Sequence, residues 1–518
     1  MSSDPIVATR HGQVRGVRAD GVEVFRGLRY GASTGGPNRF RAPQPVEPWD
    51  GVFDASAYGP QCPQAEMLAG ADLGPLAELL GAGGAAQASG EDCLRLNLYT
   101  PASGDGGGRA VMVWLHGGYY ASGSGNSPGY DGTSLARAGD VVVVSVTHRI
   151  NLFGYLHLAG PDTQDFGQGA NVGQLDLVAA LEWVRDNIAA FGGDPGRVTI
   201  FGESGGGRKA AVLMAMPAAR GLFHRAILQS GPGVTAAEPG YARALADALL
   251  DEVGIARGDA ARLQALPWET LVAANSKIAR SPAALARQRG HLMPGFSPVL
   301  DGTVIPAHPF SPQAPAISAD IPVILGSNHD EHTLFLLFDP TVDPARFDAE
   351  QLARRVGAQV GARAAELIAA YQAQAPQASP LDLFVAIETD RTYWINAVRI
   401  AERKAAQPAP VFMYRFDWNS PLLEGRLKAC HGLDVGFVFD NLGSGGLAGN
   451  APEAAGIARR MSRAWIAFAK TGDPAHAEIP PWPPYDPAGR RTMLIDVDWR
   501  VEADPRAWAR ALWTPSDA

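Results

Sequence analysis

The chain has little of what would tie it to a membrane, to nucleic acid or to a metal. No stretch approaches the ~20 consecutive apolar residues of a spanning helix. The start, Met1-Ser2-Ser3-Asp4-Pro5, has neither the basic residues nor the apolar run of a secretion signal. The expectation is therefore a cytoplasmic protein, or a secreted one whose leader was removed. Basic residues are outnumbered, with 44 Lys and Arg against 53 Asp and Glu. The net charge of −9, with no Lys/Arg block to reverse it, argues against nucleic acid or an anionic membrane as partner. The histidines show no His-Glu-x-x-His spacing and the three cysteines form no Cys/His cluster, so neither metal nor cofactor is expected. Low-complexity linkers and internal repeats are also missing. At 518 residues the chain could hold several domains, yet without a linker it reads as one unit, 1–518. Its apolar fraction of 46% is ample for a large core and excludes a disordered chain. The 60 glycines and 40 prolines are scattered, as the loops of an elaborated sheet require.

The most informative run is Val198-Thr199-Ile200-Phe201-Gly202-Glu203-Ser204-Gly205-Gly206-Gly207. It reads as a short buried strand that turns into a helix around one serine, the setting of a G-x-S-x-G nucleophile elbow. Small flanking residues let the backbone cross closely, and the helix N-terminus offers free N–H groups to developing negative charge. Four β-forming residues precede Gly202, and Lys209 to Met216 is a helix-capable stretch ended by Pro217. A phosphate-binding loop is the rival reading of these glycines. It fails at Arg208, where the phosphate-reaching Lys belongs, and at Lys209, where a Ser or Thr must ligate magnesium.

A serine hydroxyl needs a base, an orienter for that base and an oxyanion hole. The apolar strand Arg109 to Leu115 opens into His116-Gly117-Gly118-Tyr119-Tyr120, a glycine-rich turn able to aim backbone N–H groups at an oxyanion. Of eleven histidines, His431 stands out, in the loop Lys428-Ala429-Cys430-His431-Gly432 downstream of the strand-like Val411 to Phe416. The short apolar strand Ile321 to Leu325 is followed by Gly326-Ser327-Asn328-His329-Asp330-Glu331, and strand ends are where an α/β sheet collects its functional groups. Ser204, then Glu331, then His431 is the chain order of an α/β-hydrolase triad.

These motifs resemble the type-B carboxylesterase, cholinesterase-like family of α/β-hydrolases, close to the bacterial para-nitrobenzyl-esterase type, nearly end to end. Phe25 to Tyr30 is similar to the family's N-terminal strand and Glu91 to Asn97 to its second signature. Asn187-Ile188 with Phe191 to Pro195 resembles its approach to the elbow, and Trp482 to Tyr485 its C-terminal segment. The resemblance implies an α/β-hydrolase fold, with a large, mostly parallel central sheet flanked by helices and helical cap insertions around an active-site gorge. It implies Ser204 as nucleophile, Glu331 as acid, His431 as base, and oxyanion donors from Gly118, Tyr119 and Gly205. The implied function is hydrolysis of a small-molecule carboxylic ester through an acyl-enzyme, by a monomer or homodimer. An amidase or carbamate hydrolase using the same triad is the alternative, and a non-catalytic binding module a further one. Cys62 and Cys93 fall where the family often has a disulfide; in a reducing cytoplasm both are expected as thiols. Cys430 reads as a small buried packing residue.

The chain departs from the family's pattern at Tyr119, where Gly or Ala is usual, and at Gly205, where Ala is usual. His332 follows the acid in place of Gly and reads as a packed polar neighbour rather than a rival orienter. Glu203 has two readings, attraction of a cationic alcohol group or hydrogen bonding within the gorge. Arg208 and Lys209 are expected to meet structural carboxylates or solvent, with substrate carboxylate binding by Arg208 as the alternative. Tyr120 and Phe296 are further candidates for substrate contact. Residues 63–90, rich in Gly and Ala with a helical patch at Leu76, Leu79 and Leu80, are expected to form a gorge lid. The segments 236–293 and 341–395 are expected to form cap insertions. Two apolar stripes, Leu177-Leu181-Val184-Ile188 and Ile457-Met461-Trp465-Phe468, read as core-facing helices.

Overall fold

The structure, a computed structural model, describes residues 4–65, 87–158, 166, 169–280, 295–443 and 446–513. Its centre is an 11-stranded sheet. In chain order the strands are β1 (Val17–Ala19), β2 (Val22–Arg29), β3 (Arg95–Thr100), β4 (Arg109–Leu115), β5 (Val142–Thr147) and β6 (Gly193–Glu203). They continue with β7 (Arg225–Gln229), β8 (Val323–Asn328), β9 (Val411–Phe416), β10 (Arg491–Ile495) and β11 (Arg500–Ala503). Across the sheet the order is β11-β10-β9-β8-β7-β6-β4-β5-β3-β2-β1. The run from β10 to β5 is parallel and the outer pairings are antiparallel. A separate three-stranded sheet joins Ile6–Ala8, Gln13–Arg15 and Val52–Asp54.

The central strands read as unbroken apolar runs because helices cover both of their faces. Alternate residues divide between two cores. Val111, Val113 and Leu115 of β4 and Val198 and Ile200 of β6 share one with Leu177, Leu181 and Val184 of the helix Val172–Asn187. Met112, Trp114 and Phe201 share the other with Ile457, Met461, Trp465 and Phe468 of the helix Ala454–Thr471. Both stripes expected to face the core do so. Each such side chain, fully buried, contributes about 1.5–3 kcal/mol of transfer free energy.

Strands expected at Arg109–Leu115 and Val411–Phe416 form with those bounds, and that expected from Ile321 forms as Val323–Asn328. The helix expected from Lys209 instead begins at Gly205, immediately after the serine, and ends at Leu213. Three consecutive glycines, poor helix formers, hide its first turn. They are tolerated because the helix passes so close to β4 that a Cβ on Gly206 would lie 1.9 Å from the Leu115 carbonyl oxygen.

Segment 236–293 contributes the helices Pro239–Val253, Ala260–Ala265 and Trp268–Arg280 before its last residues leave the described part. Segment 341–395 contributes Ala349–Val360, Ala364–Gln374 and Pro380–Thr389. The last of these continues through a π-type turn, Asp390–Trp394, into Ile395–Lys404, so the expected boundary falls inside one helical run. Most of the expected lid, 66–86, lies outside the described residues.

Candidate active site

The expected functional residues sit beyond the C-terminal ends of parallel strands. Ser204 follows β6, the turn Gly117–Tyr119 follows β4, Glu331 follows β8, and His431 lies in the loop after β9. Because β4 and β6 are neighbours in register, with Leu115 opposite Gly202, the glycine-rich turn lies directly against the elbow. Ser204 has φ 57 and ψ −121, a strained conformation that lifts the side chain out of the strand-to-helix turn.

The three side chains form one hydrogen-bonded line. The Ser204 hydroxyl donates from Oγ to Nε2 of His431 at 2.8 Å, and Nδ1–H of His431 donates to Oε2 of Glu331 at 2.5 Å. Glu331 is fully buried, and its second oxygen accepts the Asn328 backbone N–H at 2.7 Å. The backbone N–H of His431 donates in turn to the Glu331 carbonyl at 3.3 Å. Two aromatic rings flank the imidazole, Phe335 at 4.9 Å and Tyr393 at 5.0 Å between centroids. Ser204 is 7% and His431 6% exposed, so the pair is recessed but not sealed.

Glu203 Oε1 lies 3.3 Å from Nε2 of His431, on the side of the nucleophile. Burial, reinforced by Asp434 and Glu331 and opposed by His431, pushes the Glu203 carboxyl up to about 8. Burial disfavours the His431 imidazolium, but Glu203 and Glu331 outweigh it and raise this histidine to about 9. Glu203 makes no ion pair with Lys or Arg among the described residues, and its closest charged neighbour is the base itself.

The oxyanion turn explains both departures from the family's pattern as one feature. Tyr119 has φ 53, a left-handed conformation that non-glycine residues rarely adopt. Its backbone is pressed against the elbow: a Cβ on Gly205 would lie 2.2 Å from the Tyr119 carbonyl oxygen and 2.6 Å from its Cα. Glycine at 205 is the space that the strained tyrosine backbone occupies. Among the described residues no protein acceptor takes the N–H groups of Gly118, Tyr119 and Gly205, which leaves them available to an oxyanion.

Other expectations fare differently. His332 packs against Phe335 and edge-on against Phe384, and burial lowers it to about 4, so it is the packed neighbour expected and not an orienter. Tyr120 is corrected to a core residue. The turn at Tyr119 sends it inward, where its ring meets Tyr155 edge-on at 5.1 Å and is 2% exposed. Phe296 is buried in the same cluster and lines a small gap with Tyr155, Tyr241 and Leu245. Cys62 and Cys93 are buried free thiols rather than a disulfide. A hydrogen bond to Cys62, with burial, raises the Cys93 thiol well above its ordinary value. Cys430 is fully buried in the core behind His431, as a packing residue would be.

Arg208 and Lys209 meet neither of the fates expected as more usual. Both are buried, and neither has a carboxylate within ion-pair distance among the described residues. Lys209 donates to the His116 carbonyl at 2.8 Å with its ammonium 6.0 Å from the Tyr120 ring, and burial lowers its pKa well below the ordinary value. The Arg208 guanidinium lies 5.9 Å from the centre of the Tyr119 ring.

Sequence reasoning missed Asp434, Phe335 and Tyr393. Asp434 is a third buried carboxylate near His431, accepting from Gln229 and from the Tyr414 hydroxyl, each at 2.9 Å. Phe335 follows Glu331 by four residues, the spacing that returns a helix to the same face, so that signal was present. Tyr393 carries no local signal, because only the packing of its helix brings it to the imidazole.

Comparison with known proteins agrees with this geometry. Residues 3–513 match the family described as the carboxylesterase family. The chain is 36% identical to the para-nitrobenzyl esterase of Bacillus subtilis (strain 168), covering 99% of each chain. It is 38% identical to the phenmedipham hydrolase of Pseudarthrobacter oxydans, covering 94% of this chain and 95% of that one. A crystal structure of a Geobacillus stearothermophilus carboxylesterase superposes with a TM-score of 0.85 at 39% identity, covering 98% of this chain and 100% of the other.

Proposed function

We propose, from the membership of this chain in the carboxylesterase family, that Ser204, His431 and Glu331 are the triad with which it hydrolyses carboxylic esters. The single observation that carries the assignment of residues is the unbroken line from the Ser204 hydroxyl through the imidazole to the Glu331 carboxylate.

In its neutral form His431 takes the Ser204 proton at Nε2 as Oγ attacks the ester carbonyl carbon. Charge develops on the carbonyl oxygen, which the N–H groups of Gly118, Tyr119 and Gly205 receive; one such donor is worth about 10²–10³ in rate. Glu331 keeps its negative charge, fixes the tautomer through Nδ1–H and stabilises the imidazolium. Collapse breaks the bond to the alcohol oxygen, which takes the proton from Nε2, and leaves the acyl group on Ser204. Water then repeats the sequence: it gives a proton to Nε2, attacks the acyl carbon and releases the acid. The raised basicity of His431 strengthens its grip on the transferred proton and confines its neutral, proton-accepting form to more alkaline pH.

The same groups could cleave an amide or a carbamate, but no observation favours that over an ester. The test is 4-nitrophenyl esters of rising acyl length, with pre-steady-state detection of 4-nitrophenol. The expected result is a burst stoichiometric with enzyme, abolished by an organophosphate. Ser204→Ala should lose at least about 10⁴-fold in kcat. Turnover that persists in the alanine variant would place the nucleophile elsewhere.

A further inference from the structure

One charge beside the proposed nucleophile has no counter-charge among the described residues. Arg208 is 3% exposed, deep enough that its guanidinium is largely stripped of water. A guanidinium carries five N–H donors. Among the described residues only one bond is made, a long one from Nη1 to the Pro232 carbonyl at 3.4 Å, and Nη2 is buried with no acceptor. The other buried arginines among the described residues are paired. Arg149 meets Asp176 through two bonds of 2.8 and 2.6 Å, and Arg39 meets Glu91 through two of 2.6 Å. Burying a charge costs free energy unless a partner compensates it, so an arginine that the described residues leave unpaired is poised to take a bound anion.

Its position says what the partner is. Arg208 stands four residues after Ser204 on the nucleophile helix, with its backbone N–H on the Ser204 carbonyl at 3.1 Å, so its side chain leaves the same face one turn on. The guanidinium faces the ring of Tyr119, whose own N–H is one of the three proposed oxyanion donors. The carboxylates nearest the nucleophile, Glu203 and Glu331, both lie against His431 and do not reach Arg208.

We propose that Arg208 binds a carboxylate carried by the ester substrate, so that the enzyme prefers esters with an anionic arm over neutral ones of the same shape. This rests on the ester-hydrolase reading and names the substrate class for that site. The planar fork of the guanidinium matches a carboxylate through two parallel bonds, which a lysine in its place could not reproduce. Tyr119 stacks beside the fork as one wall of the subsite. Its bulk takes room that the family's usual glycine or alanine leaves open, so selectivity for charge accompanies a narrower opening.

The test compares kcat/KM by acid release in a pH-stat for two matched pairs. Monoethyl glutarate against ethyl pentanoate places the charge on the acyl arm, and 4-acetoxybutanoate against butyl acetate places it on the alcohol arm. The readout is the ratio of charged to neutral ester within each pair. Arg208→Gln should lower that ratio by about 10- to 100-fold in one pair, the range for losing hydrogen bonds to a charged group, and the affected pair identifies the arm. Arg208→Lys, keeping the charge without the fork, should fall between. Burst titration with a 4-nitrophenyl ester counts folded active sites in each variant. A ratio unchanged in both pairs overturns the proposal. A wild-type enzyme that gives no burst with the 4-nitrophenyl ester would instead overturn the ester-hydrolase reading on which it rests, and one that gives the burst but hydrolyses none of the four esters also overturns the proposal.

Discussion

Gly205→Ala should disable the oxyanion hole while leaving the triad in place. The methyl group would sit 2.2 Å from the Tyr119 carbonyl oxygen and 2.6 Å from its Cα, both backbone atoms that no rotamer change can clear. Ordinary contact lies at about 3.5 Å, so the turn must retreat by roughly 1 Å or more. That turn supplies the Gly118 and Tyr119 donors, and the residue pushing on it supplies the third. Displacing even one oxyanion donor costs about 10²–10³ in kcat, or roughly 2.7–4 kcal/mol of transition-state stabilisation. The Ser204–His431 bond does not pass through the turn, so reaction with an organophosphate should still label the serine, though slowly. The assay is steady-state and burst kinetics with 4-nitrophenyl butyrate. The decisive variant is the double one, Tyr119→Gly with Gly205→Ala. A glycine at 119 holds a positive φ without strain and lets the turn shift, so the pair should recover most of what the single alanine loses. A single Gly205→Ala within about threefold of wild type, or a double variant no better than the single, would refute the reasoning.

The pH dependence follows from the carboxylates around His431. Deprotonation of His431 should make kcat/KM rise with pH through a midpoint above the ordinary histidine value of 6.5. Glu203→Gln removes a carboxyl 3.3 Å from Nε2 that favours the imidazolium, so it should move the midpoint downward; an upward move or none refutes the assigned sign. Glu331→Gln replaces the acceptor of the 2.5 Å bond from Nδ1 and should cost about 10⁴ in kcat with little change in folding temperature; a loss under tenfold would remove Glu331 from the triad. Away from the site, Asp176→Ala strands the fully buried Arg149 guanidinium and should cost about 3–5 kcal/mol in urea unfolding, whereas a loss under about 1 kcal/mol would mean that the cation is compensated elsewhere.

The strands at the heart of the sheet were legible because burial on both faces leaves a local mark. Arg109–Leu115 and Val411–Phe416 are apolar runs bounded by polar or glycine-rich loops, and they form where those runs lie. The elbow was legible for a related reason: G-x-S-x-G between a β-forming run and a helix-capable one joins two local signals at a turn only small residues can make. Glu331 and His431 could be nominated because a parallel sheet gathers functional groups at strand ends, a rule that needs only strand positions. The start of the nucleophile helix was not legible, since three glycines mask a turn held in place by β4 rather than by its own propensity.

Local pattern determined which segments are strands, which stripes face a core, and which three residues could meet as serine, acid and base. Tertiary structure alone decided what each polar or aromatic side chain faces. Adjacent Tyr119 and Tyr120 look equivalent in the sequence, yet one lies against Arg208 and the other is sunk against Tyr155. Asp434 stands only three residues after His431, but the groups that hold it there, Gln229 and Tyr414, come from strands elsewhere in the chain. Arg149 is met by Asp176, whereas no described residue brings Arg208 a carboxylate. Backbone conformation is governed by neighbours a few residues away and so is written in local periodicity, whereas the partner of a buried charge is set by segments hundreds of residues apart that only the packed sheet brings together.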